Sequence, residues 1–251
     1  MILLCNDDGF NAEGLRVLRK ELLALDDVTI VAPEKEQSAM GHAITLNQPL
    51  KVRRVEEDGE FIGYAVEGTP ADCIKLAITV LLEKPPQLVV SGINLGGNLG
   101  ICALYSGTVS AATESMVMGV PSIAVSLDTY ENPDFKPAAS FTRKFIPQLL
   151  EKTLPEGVFL NINVPPVPES EFAGVAITRQ GKSRVIEEFD CRKDPRGKTY
   201  YWLAGEMLFE ETEEGADCVM IAKNYISVAP IHFDLTHYPS LDNLKDLNIR
   251  L

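Results

Sequence analysis

The chain has no apolar run long enough to cross a bilayer, no Cys-x-x-Cys pair, only three histidines, and too few basic residues to balance its acids. Each shortage removes a class of protein. A membrane-crossing helix needs a span of roughly 20 apolar residues, so no membrane partner is expected. The five cysteines, Cys5, Cys73, Cys102, Cys191 and Cys218, are odd in number and unpaired in spacing. They read as small buried hydrophobes in a reducing compartment, not as bridges or zinc ligands. The first residues carry no basic region or cleavage pattern, which makes the cytoplasm the expected location. A formal net charge of −13 argues against a nucleic-acid polymer as partner, since that demands a basic surface. A small anionic substrate stays open, provided a metal, backbone N–H groups or a few cations neutralise it locally. The acidic stretch Glu210-Glu211-Thr212-Glu213-Glu214 reads as a solvated face.

What is present is an ordinary globular composition, 45% hydrophobic and 24% charged over 251 residues, enough to bury a substantial core. Residues 2–9, Ile-Leu-Leu-Cys-Asn-Asp-Asp-Gly, are the most informative. Four apolar residues without helical period predict a strand buried on both faces. Gly9 ends it, and Leu15, Leu18, Leu22 and Leu23 then mark a helix. Further strands are predicted at 28–32, 50–55, 61–66, 88–90, 122–126 and 159–164. Helices are predicted from Pro70 to about Leu82, from Ser106 to Met118 and over 138–152. Thr69 reads as an N-cap with Pro70 at the first helical position. Glu57-Asp58-Gly59-Glu60 reads as a hairpin turn. Residues 1–166 thus form an α/β core with a Rossmann-like, mainly parallel sheet covered by helices. Residues 167–251, with strands expected at 175–178, 200–203 and 225–230, read as a β-rich extension that completes the fold and mediates oligomerisation.

In such a sheet the ligand crevice lies at the carboxyl ends of the strands, where Asp7 and Asp8 fall. Two adjacent carboxylates repel each other unless a cation or a proton relieves them. The alternative is that they only make turn hydrogen bonds and cap the following helix. Ser38, in the loop after the second strand, and Asn94, after the strand at 88–90, can converge on the same point. All four side chains offer oxygen, which suits Mg²⁺ or Mn²⁺ and argues against zinc. Ser106-Gly107-Thr108 at a helix start presents free N–H groups, two hydroxyls and the positive end of a dipole, a ready phosphate site. Replacing Thr108 with valine is therefore expected to weaken phosphate binding and leave metal affinity unchanged. A metal beside a helix N-terminus is the equipment for phosphate ester hydrolysis. Asp8, beside Asp7, is the candidate to orient or deprotonate the attacking water. His42 is an alternative that assists the leaving oxygen.

Several ordered motifs also carry a family resemblance. They are Asn6-Asp7-Asp8-Gly9, Ala32-Pro33, Ser38-Ala39-Met40-Gly41-His42, Gly68-Thr69-Pro70-Ala71-Asp72-Cys73, Ser91-Gly92-Ile93-Asn94, Asn98-Leu99-Gly100 and Tyr105-Ser106-Gly107-Thr108-Val109. With Thr178-Arg179-Gln180-Gly181, Tyr200-Tyr201-Trp202 and residues 225–230, the sequence resembles the SurE (survival protein E) nucleotidases over nearly its whole length. The resemblance implies a divalent-metal phosphomonoesterase acting on nucleoside 5′- and 3′-monophosphates, in some members with exopolyphosphatase activity. It implies a homodimer or homotetramer with one Mg²⁺ or Mn²⁺ per subunit. Asp7, Asp8, Ser38 and Asn94 then hold the metal, and Asn98, Ser106, Gly107 and Thr108 stand on the phosphate side. The chain departs from its relatives at Ile101-Cys102-Ala103-Leu104, where an acidic or otherwise polar residue is usual. A catalytically weakened metal- or nucleotide-binding protein of the same fold is the alternative reading.

Other folds fit less well. A phosphate-accepting receiver needs an aspartate at the end of its third strand, and Ser-Gly-Ile-Asn follows 88–90. A His-Pro-Asp-Asp zinc deacetylase needs a histidine by the acids, and His42, His232 and His237 are all remote in sequence. No Gly-x-Gly-x-x-Gly follows the first strand.

Overall fold

The strict alternation of buried side chains along the first strand, β1 (Ile2–Cys5), divides the molecule into two layers. Ile2 and Leu4 point into one core and Leu3 and Cys5 into another, because successive strand residues face opposite sides. The first helix, α1 (Glu13–Leu22), covers the Ile2/Leu4 face through Leu15, Leu18 and Leu22. In this computed structural model, which describes residues 1–152, 154–208, 212–245 and 247, those cores sandwich a nine-stranded sheet.

The chain runs on through β2 (Val28–Pro33), then a hairpin of β3 (Val52–Glu57) and β4 (Glu60–Val66). Asp58 and Gly59 at its turn both have positive φ, 51° and 82°, which accounts for the Asp-Gly signal. Helix α2 (Pro70–Leu76) starts with a full capping box, in which Thr69 Oγ1 accepts from Asp72 N at 3.1 Å and Thr69 N donates to Asp72 Oδ2 at 2.9 Å. It ends in a wide turn over Ala77–Leu81, short of the single helix to Leu82 that periodicity predicts.

Strand β5 (Leu88–Leu95) is longer than the predicted 88–90. It continues through Ser91-Gly92-Ile93-Asn94 because its pairing with β6 (Ser122–Leu127) absorbs a register shift between Ser91 and Asn94. Helices α3 (Gly107–Val117) and α4 (Lys136–Leu150) and strand β7 (Val158–Val164) complete the predicted alternation. Helices α1 and α4 lie on one face of the sheet, α2 and α3 on the other.

Beyond 167 the extension divides. Strands β8 (Gly174–Ile177) and β11 (Tyr225–His232) join the main sheet, β11 antiparallel to β7 and β8 parallel to β11. Strands β9 (Arg184–Lys193) and β10 (Thr199–Leu208) form a separate antiparallel ribbon, of which periodicity predicts only part of β10. Two short helices, α5 (Asp217–Ala222) and α6 (Pro239–Lys245), also escape the pattern. Of the acidic stretch at 210–214, Glu210 and Glu211 lie outside the described residues, and Thr212, Glu213 and Glu214 are exposed.

The sheet order is β3-β4-β2-β1-β5-β6-β7-β11-β8. From β1 the chain moves outward to β2 on one side, then returns to place β5 on the other. The switch point therefore falls between the carboxyl ends of β1 and β5, where an open α/β sheet forms its crevice.

Candidate metal and phosphate site

Asp7 and Asp8 follow β1 directly into that switch point. Asp7 is 4% exposed and packs against the start of α3. Its Oδ1 accepts from Thr108 Oγ1, and the Gly107 and Thr108 N–H groups also favour its ionised form. Contact with α3 is close enough that a Cβ at Gly107 would stand 2.6 Å from Asp7 Cβ, so only glycine fits there. Burial nevertheless wins and raises the Asp7 pKa above its ordinary value.

Asp8 is turned the other way. Its Oδ2 accepts from Leu95 N at 3.3 Å, which ties it to the end of β5 beside Asn94. Burial, then the Asp7 charge, push its pKa up to about 7, with Glu36 adding further repulsion. Among the described residues no ion pair reaches either carboxylate. A buried and a half-buried acid that repel each other, without a counter-cation among the described residues, fit a divalent metal.

The Asn94 side chain donates through Nδ2 to Gly96 O at 2.7 Å and Leu95 O at 3.2 Å. That fixes the amide nitrogen on the loop and leaves the oxygen out of those bonds. Ser38 is exposed, and its hydroxyl donates to Glu36 Oε1 at 2.7 Å. Its loop is laid over the acids by Gln37 N donating to Asp7 O at 2.8 Å and Phe10 N to Pro33 O at 2.7 Å. Farther along, His42 Nε2 lies 2.7 Å from Glu114 Oε2 on α3, and Lys75 Nζ lies 2.5 Å from the other Glu114 oxygen. Thr45 is held by Asp72 in the same way, through its N at 2.9 Å and its hydroxyl at 2.6 Å. His42 thus fastens the loop to α3.

On the phosphate side, Ser106 is the N-cap of α3, its Oγ accepting from Val109 N at 3.1 Å. The serine O–H remains available to an anion. Asn98 is buried and deeply networked: its N donates to Asn163 Oδ1 at 2.8 Å, its Nδ2 to Ser126 Oγ at 2.8 Å, and its carbonyl accepts from Asn161 at 2.8 Å. Thr108 differs from the sequence expectation, because its hydroxyl donates to Asp7 and not outward. Thr108→Val should therefore cost about 1–3 kcal/mol of charge-assisted hydrogen bonding at a buried carboxylate. The expected reading is weaker Mn²⁺ binding by calorimetric titration, in place of the unchanged affinity that the sequence suggests. Sequence reasoning did not find Glu36, Asp128 or Tyr130, all of which adjoin the acids or their loops; their neighbours in sequence carry no pattern that marks them.

The switch-point crevice, the paired acids and the capped helix beside them define a Rossmann-like α/β protein with an acidic site that suits a hard cation. A family model described as survival protein SurE matches residues 2–187. The 5′-nucleotidase SurE of Syntrophus aciditrophicus (strain SB) is 55% identical over 249 residues, spanning 98% of this chain and 92% of the relative. That of Syntrophobacter fumaroxidans is 49% identical over 248 residues, spanning 99% of each. The crystal structure of the SurE protein from Aquifex aeolicus matches with a TM-score of 0.86 at 42% identity, covering 99% of both chains. The chain belongs to the SurE family.

Proposed function

We propose that this chain is a 5′-nucleotidase that hydrolyses nucleoside 5′- and 3′-monophosphates to nucleoside and phosphate, with polyphosphate as a further substrate. One divalent cation per subunit, Mg²⁺ or Mn²⁺, would be held by Asp7, Asp8, Ser38 and Asn94. The observation that carries this reading is the pair of uncompensated carboxylates at the switch point, packed against the N-terminus of α3. Nucleotidase activity is also what the names of its relatives state. No helix among the described residues is long and apolar enough to cross a membrane.

When bound, the cation supplies positive charge that offsets the two acids, polarises the phosphoryl oxygen and acidifies water. The protein's own groups do the rest. The Leu95 N–H holds Asp8 at the crevice, where its carboxylate orients the attacking water and takes its proton. The Ser106 hydroxyl donates to the phosphoryl oxygens as charge builds on them, while the first N–H groups of α3 hold the Asp7 carboxylate and the Ser106 cap. Asn98, locked by Asn161 and Asn163, keeps the loop after β5 in place. In keeping with the exposed Phe189, Tyr201, Trp202 and Leu203 of the β9–β10 ribbon, the chain is proposed to self-associate as a homodimer or homotetramer, to be read as mass by light scattering.

A phosphate-release screen over nucleoside 5′- and 3′-monophosphates and polyphosphate tests the activity. Turnover should vanish with EDTA and return with Mg²⁺ or Mn²⁺. Release that is indifferent to chelation would refute the metal reading, and no release with any metal would favour the catalytically weakened alternative.

A further inference from the structure

One carboxylate beside the site has no partner. Asp128 follows β6 at its carboxyl end, adjacent to the strand end that carries Asn94. Its backbone N donates to Val164 O at 3.0 Å, which fixes its place, yet among the described residues nothing donates to its carboxylate. Burial alone pushes its pKa up. The loop between Asn94 and Asn98 is shaped around it. Any Cβ at Gly97 would collide with Asp128 Oδ1, and one at Gly96 would collide with the hydroxyl end of the Tyr130 ring. Two consecutive glycines thus let Asp128 and Tyr130 lie directly on the stretch that joins Asn94, a proposed metal ligand, to Asn98. Tyr130 is 75% exposed, and the hydroxyl end of its ring lies against Gly96, two residues from Asn94.

We infer that Asp128 and Tyr130 form a nucleoside subsite, in which the Asp128 carboxylate accepts hydrogen bonds from the ribose hydroxyls and the Tyr130 ring packs on the base. A half-buried carboxylate is a poor neighbour for a second phosphate, whereas a neutral diol supplies the two donors that it needs. Acids at strand ends take ribose hydroxyls in this way in dinucleotide-binding sheets. An exposed tyrosine gives a sequence-tolerant face for any base. The inference rests on the nucleotidase reading and adds that the enzyme recognises the sugar.

The test compares kcat/KM for adenosine 5′-monophosphate, its 2′,3′-dideoxy analogue and p-nitrophenyl phosphate. The parent protein should favour the ribonucleotide over the dideoxy analogue on the order of 10- to 100-fold. In Asp128→Asn and Asp128→Ala that ratio should fall toward one, the asparagine variant keeping the shape of the side chain. Tyr130→Ala should raise KM for both nucleotides while Tyr130→Phe does not. Equal use of the two nucleotides by the parent, or an equal loss on all three substrates in the Asp128 variants, would overturn the subsite. Turnover of p-nitrophenyl phosphate with none of either nucleotide would instead remove the nucleotidase reading itself.

Discussion

Asp7→Asn is expected to lower metal-dependent phosphate release by about three orders of magnitude, the upper range for removal of one preorganised charged group. The fold should survive, since asparagine keeps the shape and still accepts from Thr108 Oγ1. Without metal the variant should even be the more stable protein, because burial penalises the charge it removes. The same logic gives Asp8 a pH signature. Its folded pKa of about 7 lies above its ordinary value of 3.8, so unfolding releases a proton in between. Stability is full below the unfolded value and is lost as pH rises through the folded one. Between about pH 4 and 7, metal-free parent protein should therefore lose melting temperature relative to Asp8→Asn, and the gap should level off above about pH 7. Differential scanning across that window, with and without Mn²⁺, checks the sign. A gap that narrows with rising pH would contradict the burial account.

Truncation after residue 222 is the second large effect. It deletes β11, which is an interior strand bonded to β7 on one side and β8 on the other. Ile226, Val228 and Ala229 are each at most 2% exposed, so their loss opens the core and leaves β7 with a bare hydrophobic edge. The shortened chain should aggregate or fail to give a cooperative melt. A soluble fragment with the parent's melting temperature would show that β11 contributes nothing to its own chain's sheet. Because β11 pairs within its own chain here, the proposed self-association would draw on other surfaces, of which the β9–β10 ribbon with its exposed aromatics is the natural one.

The core was legible because burial on both faces leaves a strong trace. Apolar runs at β1, β2, β6 and β7, glycine and proline at their ends, and leucines at helical spacing on α1 each follow from where the side chain must go. The strands that escaped are those without that constraint. Strand β9, Arg-Val-Ile-Glu-Glu-Phe-Asp-Cys-Arg-Lys, belongs to a ribbon away from the main sheet and carries charge as readily as apolar groups. The continuation of β5 through Ser91-Gly92 is hidden because a register shift, not a hydrophobic pattern, sustains it.

The candidate site divides along the same line. Asp7 and Asp8 stand out in the sequence because paired acids after a buried strand are costly unless used. Directions of hydrogen bonds leave no such trace. Whether Thr108 faces an anion or Asp7, and whether His42 reaches a leaving group or Glu114, depends on packing between elements far apart in the chain. Asp128 and Tyr130 are hidden for the opposite reason: what exposes them is the absence of side chains at Gly96 and Gly97.

The most direct test is titration of Mn²⁺ into chelator-treated protein, followed by calorimetry, for the parent, Asp7→Asn and Asp8→Asn. One ion per chain should bind the parent and release protons as the raised carboxyls ionise. Both variants should lose that binding. Saturation of either variant at one ion per chain with the parent's affinity would contradict the site at the end of β1.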